Sequence, residues 1–231
     1  MLGADDGIVS TASLLVGISS ASGSRSTLVT TGIAALVAGA TSMAAGEWAS
    51  VSSQRDGERA DLDLERAEFT ADPSAELAEL TAVYVRRGVP EALARQVAEA
   101  MSTNDVVDAH ARDELGLDPN ALARPGQAAF ASATAFALGA LIPTITVSLA
   151  PAGFRTIALA ATALVALGAL GAVGAKVGGG NRWRGALRVA AGGGVAMLIT
   201  GACRSSRTRN RTLKVARCLC GPAVDLTAWA L

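Results

Sequence analysis

Charged residues divide this chain into long apolar stretches and one polar interval. Eighteen uncharged residues separate Asp6 from Arg25, and 21 separate Arg25 from Glu47. Thirty separate Arg124 from Arg155, and 20 separate Arg155 from Lys176. A helix needs about 20 such residues to cross a hydrocarbon core. The 15 residues between Arg188 and Arg204 are short of that, although Trp183 can extend the span at its interfacial end. The pattern predicts an all-α integral membrane protein with about five transmembrane helices, the first and fifth being the least complete. Five buried soluble helices of this kind would leave a 231-residue chain almost no surface to wet. Four segments follow: residues 1–50 with the first two spans, a polar insert over 51–123, residues 124–202 with three more spans, and a basic tail over 203–231.

Within the insert the periodicity becomes amphipathic. One helix from about Ser52 to Thr70 continues the second span, and Asp72-Pro73-Ser74 is a stop-and-restart signal. A second helix runs from Ala75 to Arg87 and ends at Gly88, a suitable residue for a helix C-terminus. Pro90 opens a third through about Met101, and Asn104 or Asp105 caps a last one ending near Gly116. In the second span Gly32, Gly39 and Gly46 alternate with Ala35 and Ser42 along one face, and Gly168, Gly171 and Gly174 recur in the fourth. Small residues at this spacing let helices approach closely in lipid.

Composition sharpens this outline. Hydrophobic residues make up 51% of the chain but aromatics only 3%, so the apolar content is small and aliphatic. The formal charge is zero, yet residues 51–124 hold 16 of the 20 acids and 8 of the 20 bases, a net −8 balanced by +8 elsewhere. Lys176, Arg182, Arg184 and Arg188 crowd one short connection, against a single Arg in the connections after the first and third spans. Basic connections face the cytoplasm, which places the acidic insert there too. The same topology puts the tail outside, although it carries Arg204, Arg207, Arg209, Arg211, Lys214 and Arg217. The tail beyond Ala202 therefore reads as atypical, the product of a shifted frame, and the start ahead of Asp6 as truncated or mis-assigned. Cys203, Cys218 and Cys220 give no disulfide framework and read as free thiols. The Ala, Arg and Gly bias points to a GC-rich bacterial gene, hence a plasma-membrane setting.

The candidate chemistry is carboxylate chemistry. Glu65 and Glu68 are three residues apart, as are Glu76 and Glu79, so each pair shares a helix face. A tight Asp-Pro turn between the two helices allows the four to converge, and converging carboxylates need a cation among them. Hard or borderline divalent ions such as Fe²⁺ or Mn²⁺ suit oxygen donors. His110 and Glu114, one turn apart, can add a nitrogen and an oxygen. Equally, acids at helical spacing can form a solvated face, and Arg86 and Arg87 read as surface charge. In the spans Asp6, Met43 and Glu47 stand out. An acid in a membrane helix marks an ion route, and the Met43 thioether is a soft ligand one turn from Glu47.

The run Asp6-Gly7-Ile8-Val9-Ser10 resembles the vacuolar iron transporter family. So do Ser42-Met43-Ala44-Ala45-Gly46-Glu47-Trp48, Ser52-Ser53-Gln54-Arg55-Asp56, the stretch Ala129–Pro143, and the close of the insert from His110 to Leu117. The resemblance covers roughly Leu2 to Ala202, with spans and insert in order. It implies a homodimer of five-span chains that exports cytosolic Fe²⁺, and often Mn²⁺, in exchange for protons. It also implies an insert that gathers metal for a pore at the dimer interface. By position the insert ligands are Glu65, Glu68, Glu76, Glu79 and Glu114, with His110 where a plant relative has methionine. The pore residues carried over are Asp6 and Met43. A further pore acid falls on Ala35, for which Glu47, about three turns along the same helix, can substitute.

No prosthetic group is expected, and the expected partners are divalent metal ions, the bilayer and a second copy of the chain, not nucleic acid. A di-iron oxidase is disfavoured, because Glu-x-x-His does not occur, so the chain is not expected to be an enzyme. The remaining alternative is a non-transporting membrane protein whose acidic insert docks a basic partner.

Overall fold

Two kinds of helix alternate in the computed structural model, which describes residues 1–19, 24–103 and 106–208. Eight helices and no strand occur among the described residues: α1 (Leu2–Ser19), α2 (Arg25–Ala71), α3 (Pro73–Arg86), α4 (Glu91–Ser102), α5 (Val106–Asp113), α6 (Pro125–Leu149), α7 (Arg155–Val177) and α8 (Arg182–Thr208). The caps expected at Asn104 or Asp105, the Cys218–Cys220 pair and the tail beyond Thr208 lie outside the described residues. The protein is an all-α integral membrane protein. α2, α6 and α7 are long and apolar enough to cross a membrane. α1, with Asp5 and Asp6 near its start, and α8, with three arginines in its first two turns, fall short of the same measure.

The chain forms two compact units. The first comprises Met1–Ala44 and the chain from Phe130 on. Its core has two clusters: Ile8, Ala12, Ala163, Leu167 and Met197 join α1, α7 and α8, while Leu15, Leu28, Val147 and Leu159 join α1, α2, α6 and α7. Large apolar side chains such as Phe130, Leu149, Ile157, Val165 and Leu198 face outward. That is the inside-out pattern of helices solvated by lipid, since a water-facing surface rarely carries so much contiguous apolar area.

Small residues set the helix spacing, only partly where the repeat predicted. A Cβ at Gly7 would strike the Phe136 carbonyl, one at Gly139 the Ala4 carbonyl, and one at Gly39 the Phe136 ring. Gly32 packs on Thr144, and Gly171 and Gly185 bring the backbones of α7 and α8 into mutual contact. Gly46 and Gly168, by contrast, face open space. The stripe expected on α2 is thus a packing surface at two of its three glycines.

The second unit, Ala45–Ala129, is built by local signals. α2 cannot continue through Pro73, which has no amide to donate. Asp72 caps the new helix instead: its Oδ1 accepts from the amides of Ser74 (3.0 Å) and Ala75 (3.1 Å) and from the Ser74 hydroxyl (2.6 Å). These bonds hold its carboxyl below the usual range. α3 ends where Gly88 takes φ +93°, and α5 unwinds before Gly116 at φ +69°, both left-handed conformations that favour glycine. Leu80, Tyr84, Ala94, Ala98 and Ala109 pack α3, α4 and α5 together. Glu58 on α2 accepts the Ala123 amide at 2.8 Å, fastening the returning chain to the helix.

Candidate metal centre

Three helices of the second unit each deliver a polar side chain to one buried point. The Asp72-Pro73 reversal returns the chain along α2, so Glu76 on α3 faces Glu65 on α2. α5 adds His110, and the turn after it adds Glu114, whose amide still donates to the His110 carbonyl at 2.9 Å. His110 Nδ1 lies 3.5 Å from Glu65 Oε2, 3.6 Å from Glu76 Oε2 and 3.4 Å from Glu114 Oε2. Donor atoms of Glu65, Glu76 and His110 all fall within 4.8 Å of one another. His110 is 1% exposed, Glu76 6% and Glu65 8%, whereas Glu68 and Glu79 are exposed.

This arrangement is costly as it stands. Neither ring nitrogen of His110 has a hydrogen-bond partner among the described residues, and a buried polar group without one costs about 1–3 kcal/mol. Burial pushes the Glu65 and Glu76 carboxyls above their ordinary value of 4.5, His110 opposes the shift, and the surrounding glutamates reinforce it. Glu68 adds to the negative field at both carboxyls, and Glu79 at Glu76. Of the six expected ligands, three carboxylates meet around a fourth, the His110 imidazole, and the other two act at the rim through charge.

A divalent cation answers each of these costs. With metal–ligand bonds of about 2.1 Å, neighbouring ligand atoms lie about 3.0 Å apart in an octahedron and 3.4 Å in a tetrahedron. The 3.4–3.6 Å separations around Nδ1 are therefore close to a first coordination shell needing only slight contraction. One nitrogen with carboxylate oxygens is a donor set for Fe²⁺, Mn²⁺ or Zn²⁺ rather than for a soft monovalent ion. A cavity of about 260 Å³, bounded by Phe69, Pro73, Leu77 and Glu99, has His110 in its wall and offers a way in. A larger cavity of about 550 Å³ on the α3–α4 face offers two arginines and one glutamate, Glu91, and no cluster of ligating atoms.

Across residues 1–204 the sequence matches the model of the VIT family. The chain belongs to that family. It is 42% identical over 201 residues to a protein of Acanthamoeba castellanii named vacuolar iron transporter, covering 87% of this chain and 74% of that protein. It is 36% identical over 201 residues to vacuolar iron transporter homolog 2 of Oryza sativa subsp. japonica (87% and 84%). It is 32% identical to vacuolar iron transporter homolog 2.1 of Arabidopsis thaliana (87% and 76%). VIT family members are transporters, so the chain is not an enzyme.

The residues expected in the transport path lie on α1 and α2 of this VIT family chain. Asp6 is exposed on α1, and Met43 and Glu47 are half-buried one turn apart on α2. No hydrogen bond or ion pair among the described residues joins Asp6 to either of them. Ala35, where the resemblance expects an acid, is half-buried on α2.

A clamp that no sequence pattern announces holds α5 in place. Tyr84 donates to Asp113 Oδ2 at 2.6 Å, while Arg87 pairs with Asp113 Oδ1 and donates to its backbone carbonyl at 2.6 Å. Arg87, expected to be surface charge, also stacks 5.8 Å from the centre of the Tyr84 ring. Burial, then the bond to Asp113, pushes the Tyr84 hydroxyl up to about 12, and that bond holds the Asp113 carboxyl below its usual value. Separations of 26 and 29 residues leave no short-range signal for these contacts.

Proposed function

We propose that this VIT family member carries divalent iron, and manganese with it, out of the cytoplasm in exchange for protons. The observation that carries the reading is the buried His110 imidazole, without a hydrogen bond at either nitrogen among the described residues and with Nδ1 ringed by Glu65, Glu76 and Glu114 at 3.4–3.6 Å. The names of its relatives support iron as cargo.

In this reading α1 and α8 join α2, α6 and α7 as five spans of a plasma-membrane homodimer, and the −8 insert faces the cytoplasm. The insert's field concentrates cations, and the rim acids Glu68 and Glu79 pass them to the buried cluster. Weak oxygen ligation lets the ion leave again. Asp6, Met43 and Glu47 conduct it at the pore between the two copies, the Met43 sulfur favouring Fe²⁺ over Mg²⁺ or Ca²⁺. With Ala35 in place of an acid, Glu47 is the carboxylate that alternates between metal and proton.

The test is Fe²⁺ uptake into proteoliposomes under an imposed pH gradient, comparing wild type with Glu76→Gln/Glu79→Gln. Gradient-dependent uptake that falls in the variant supports an exchanger fed by the insert. Uptake unaffected by the gradient removes proton exchange. Absence of uptake by folded wild type, with binding of a basic protein partner instead, makes the insert a docking module.

A further inference from the structure

We propose that the α7–α8 turn binds the phosphate of an anionic membrane phospholipid. Gly171 and Gly185 draw the two helices together, and the turn beyond them opens into a cavity of about 340 Å³. Gly174, Gly178, Gly180 and Asn181 form its backbone walls, and Arg184 and Arg188 line it from successive turns of α8. The amides opening α8 are already occupied: Asn181 Oδ1 accepts from Trp183 at 2.9 Å and from Arg184 at 3.4 Å. The capacity to hold an anion therefore lies in the two guanidiniums.

Both guanidiniums are free to do so. Neither has a hydrogen bond or ion pair among the described residues, and Asp5 and Asp6 on α1 do not pair with them. The sequence has no acid at all between Asp118 and Asp225. Guanidiniums bind phosphate bidentately and are weakly hydrated, so they suit a site at the edge of a bilayer.

The flanking residues identify the source of the phosphate. Val177 and Leu187, next to the cations in the chain, are 81% and 72% exposed. A soluble anion has no use for apolar side chains beside its site, whereas a phospholipid lays its acyl chains along them while its phosphate reaches the arginines. Arg182 supplies an internal contrast. It carries the same charge two residues from Arg184, but it stacks on Trp183 and lines a different hollow with Gly168 and Ala172.

The experiment is native mass spectrometry of the full chain in detergent, offered phosphatidylglycerol and phosphatidylcholine with identical acyl chains. Two guanidiniums at about fivefold each predict a preference for phosphatidylglycerol of about 25-fold. Arg184→Gln/Arg188→Gln abolishes the preference, Arg184→Lys/Arg188→Lys keeps much of it, and Arg182→Gln leaves it intact, each variant being checked for its helical circular dichroism. Equal retention of the two lipids by wild type overturns the proposal. So does an equal loss in Arg182→Gln, which would reduce the effect to net charge. Displacement of the lipid by millimolar inorganic phosphate would make this a site for a free anion and overturn the lipid assignment.

Discussion

Glu76→Gln separates two opposing contributions of one carboxylate. The Glu76 side chain is 7% exposed and lies 3.6 Å from Nδ1 of His110. Burial raises its pKa above 4.5, so the folded insert holds the proton more tightly than the unfolded chain does. Stability from such a group is present at low pH and is lost as pH rises through the folded value. Once ionised, the carboxylate is therefore a burden on the metal-free fold, and the amide relieves it. Metal-free Glu76→Gln should be at least as stable as wild type.

With metal the sign reverses, because one of three carboxylates around the imidazole has lost its charge. Loss of even an outer partner of a metal site weakens binding about 10–100-fold, and we take the upper figure for a group in the cluster itself. At metal one hundredfold above the wild-type Kd, binding stabilises wild type by about 2.7 kcal/mol and the weakened variant by about 0.4 kcal/mol. Thermal unfolding in detergent with and without Mn²⁺ reads both effects. A variant that is less stable without metal and yet gains as much from Mn²⁺ as wild type would refute the reasoning.

The same geometry makes four further predictions. Tyr84→Phe keeps the ring packing but removes the 2.6 Å bond to Asp113. It should cost about 1–2 kcal/mol of insert stability and weaken Mn²⁺ binding by loosening α5; a titration and melting curve matching wild type would rule out the clamp. Gly7→Ala drives a methyl into the Phe136 carbonyl and should destabilise the membrane unit by about 1–3 kcal/mol, whereas Gly46→Ala, facing open space, should stay within about 0.5 kcal/mol. Equal melting temperatures for the two would remove the close α1–α6 approach as a determinant. Met43→Ala should reduce liposome transport while leaving metal binding by the insert unchanged; undiminished flux would take Met43 out of the path. The apparent affinity of the insert for Mn²⁺ should begin to fall on the alkaline side of pH 4.5, because Glu65 and Glu76 are both raised in the metal-free protein; an affinity that stays constant down to pH 4.5 would contradict those shifts.

Much of this molecule is written in short-range pattern. Charge-free stretches mark α2, α6 and α7 because lipid admits nothing else over that length, and Asp72-Pro73 and Gly88 mark breaks in the ladder that any chain must obey. Spacing also pairs Glu65 with Glu68 and Glu76 with Glu79, but it cannot say which member of each pair turns inward. That choice is made by packing: the α3–α4–α5 core around Leu80 and Ala98 brings α5 over Glu65 and Glu76 and leaves Glu68 and Glu79 outside. The lone histidine looks unremarkable in sequence for the same reason, since its significance depends on a helix more than 30 residues away from Glu76. The clamp of Tyr84 and Arg87 on Asp113 and the bond from the Ala123 amide to Glu58 are likewise long-range. Periodicity named the glycine stripe on α2, but only the folded contacts show that Gly32 and Gly39 pack on α6 while Gly46 faces open space.

In the proposed function the buried cluster binds the transported ion through the His110 nitrogen. Electron spin-echo spectroscopy of Mn²⁺ bound to the full chain tests it directly, because an imidazole ligand imprints ¹⁴N modulation on the manganese signal. One coupled nitrogen is expected in wild type and none in His110→Gln, with weakened binding in the variant. Manganese surrounded by oxygen alone in wild type would contradict it and return the buried histidine to a structural part.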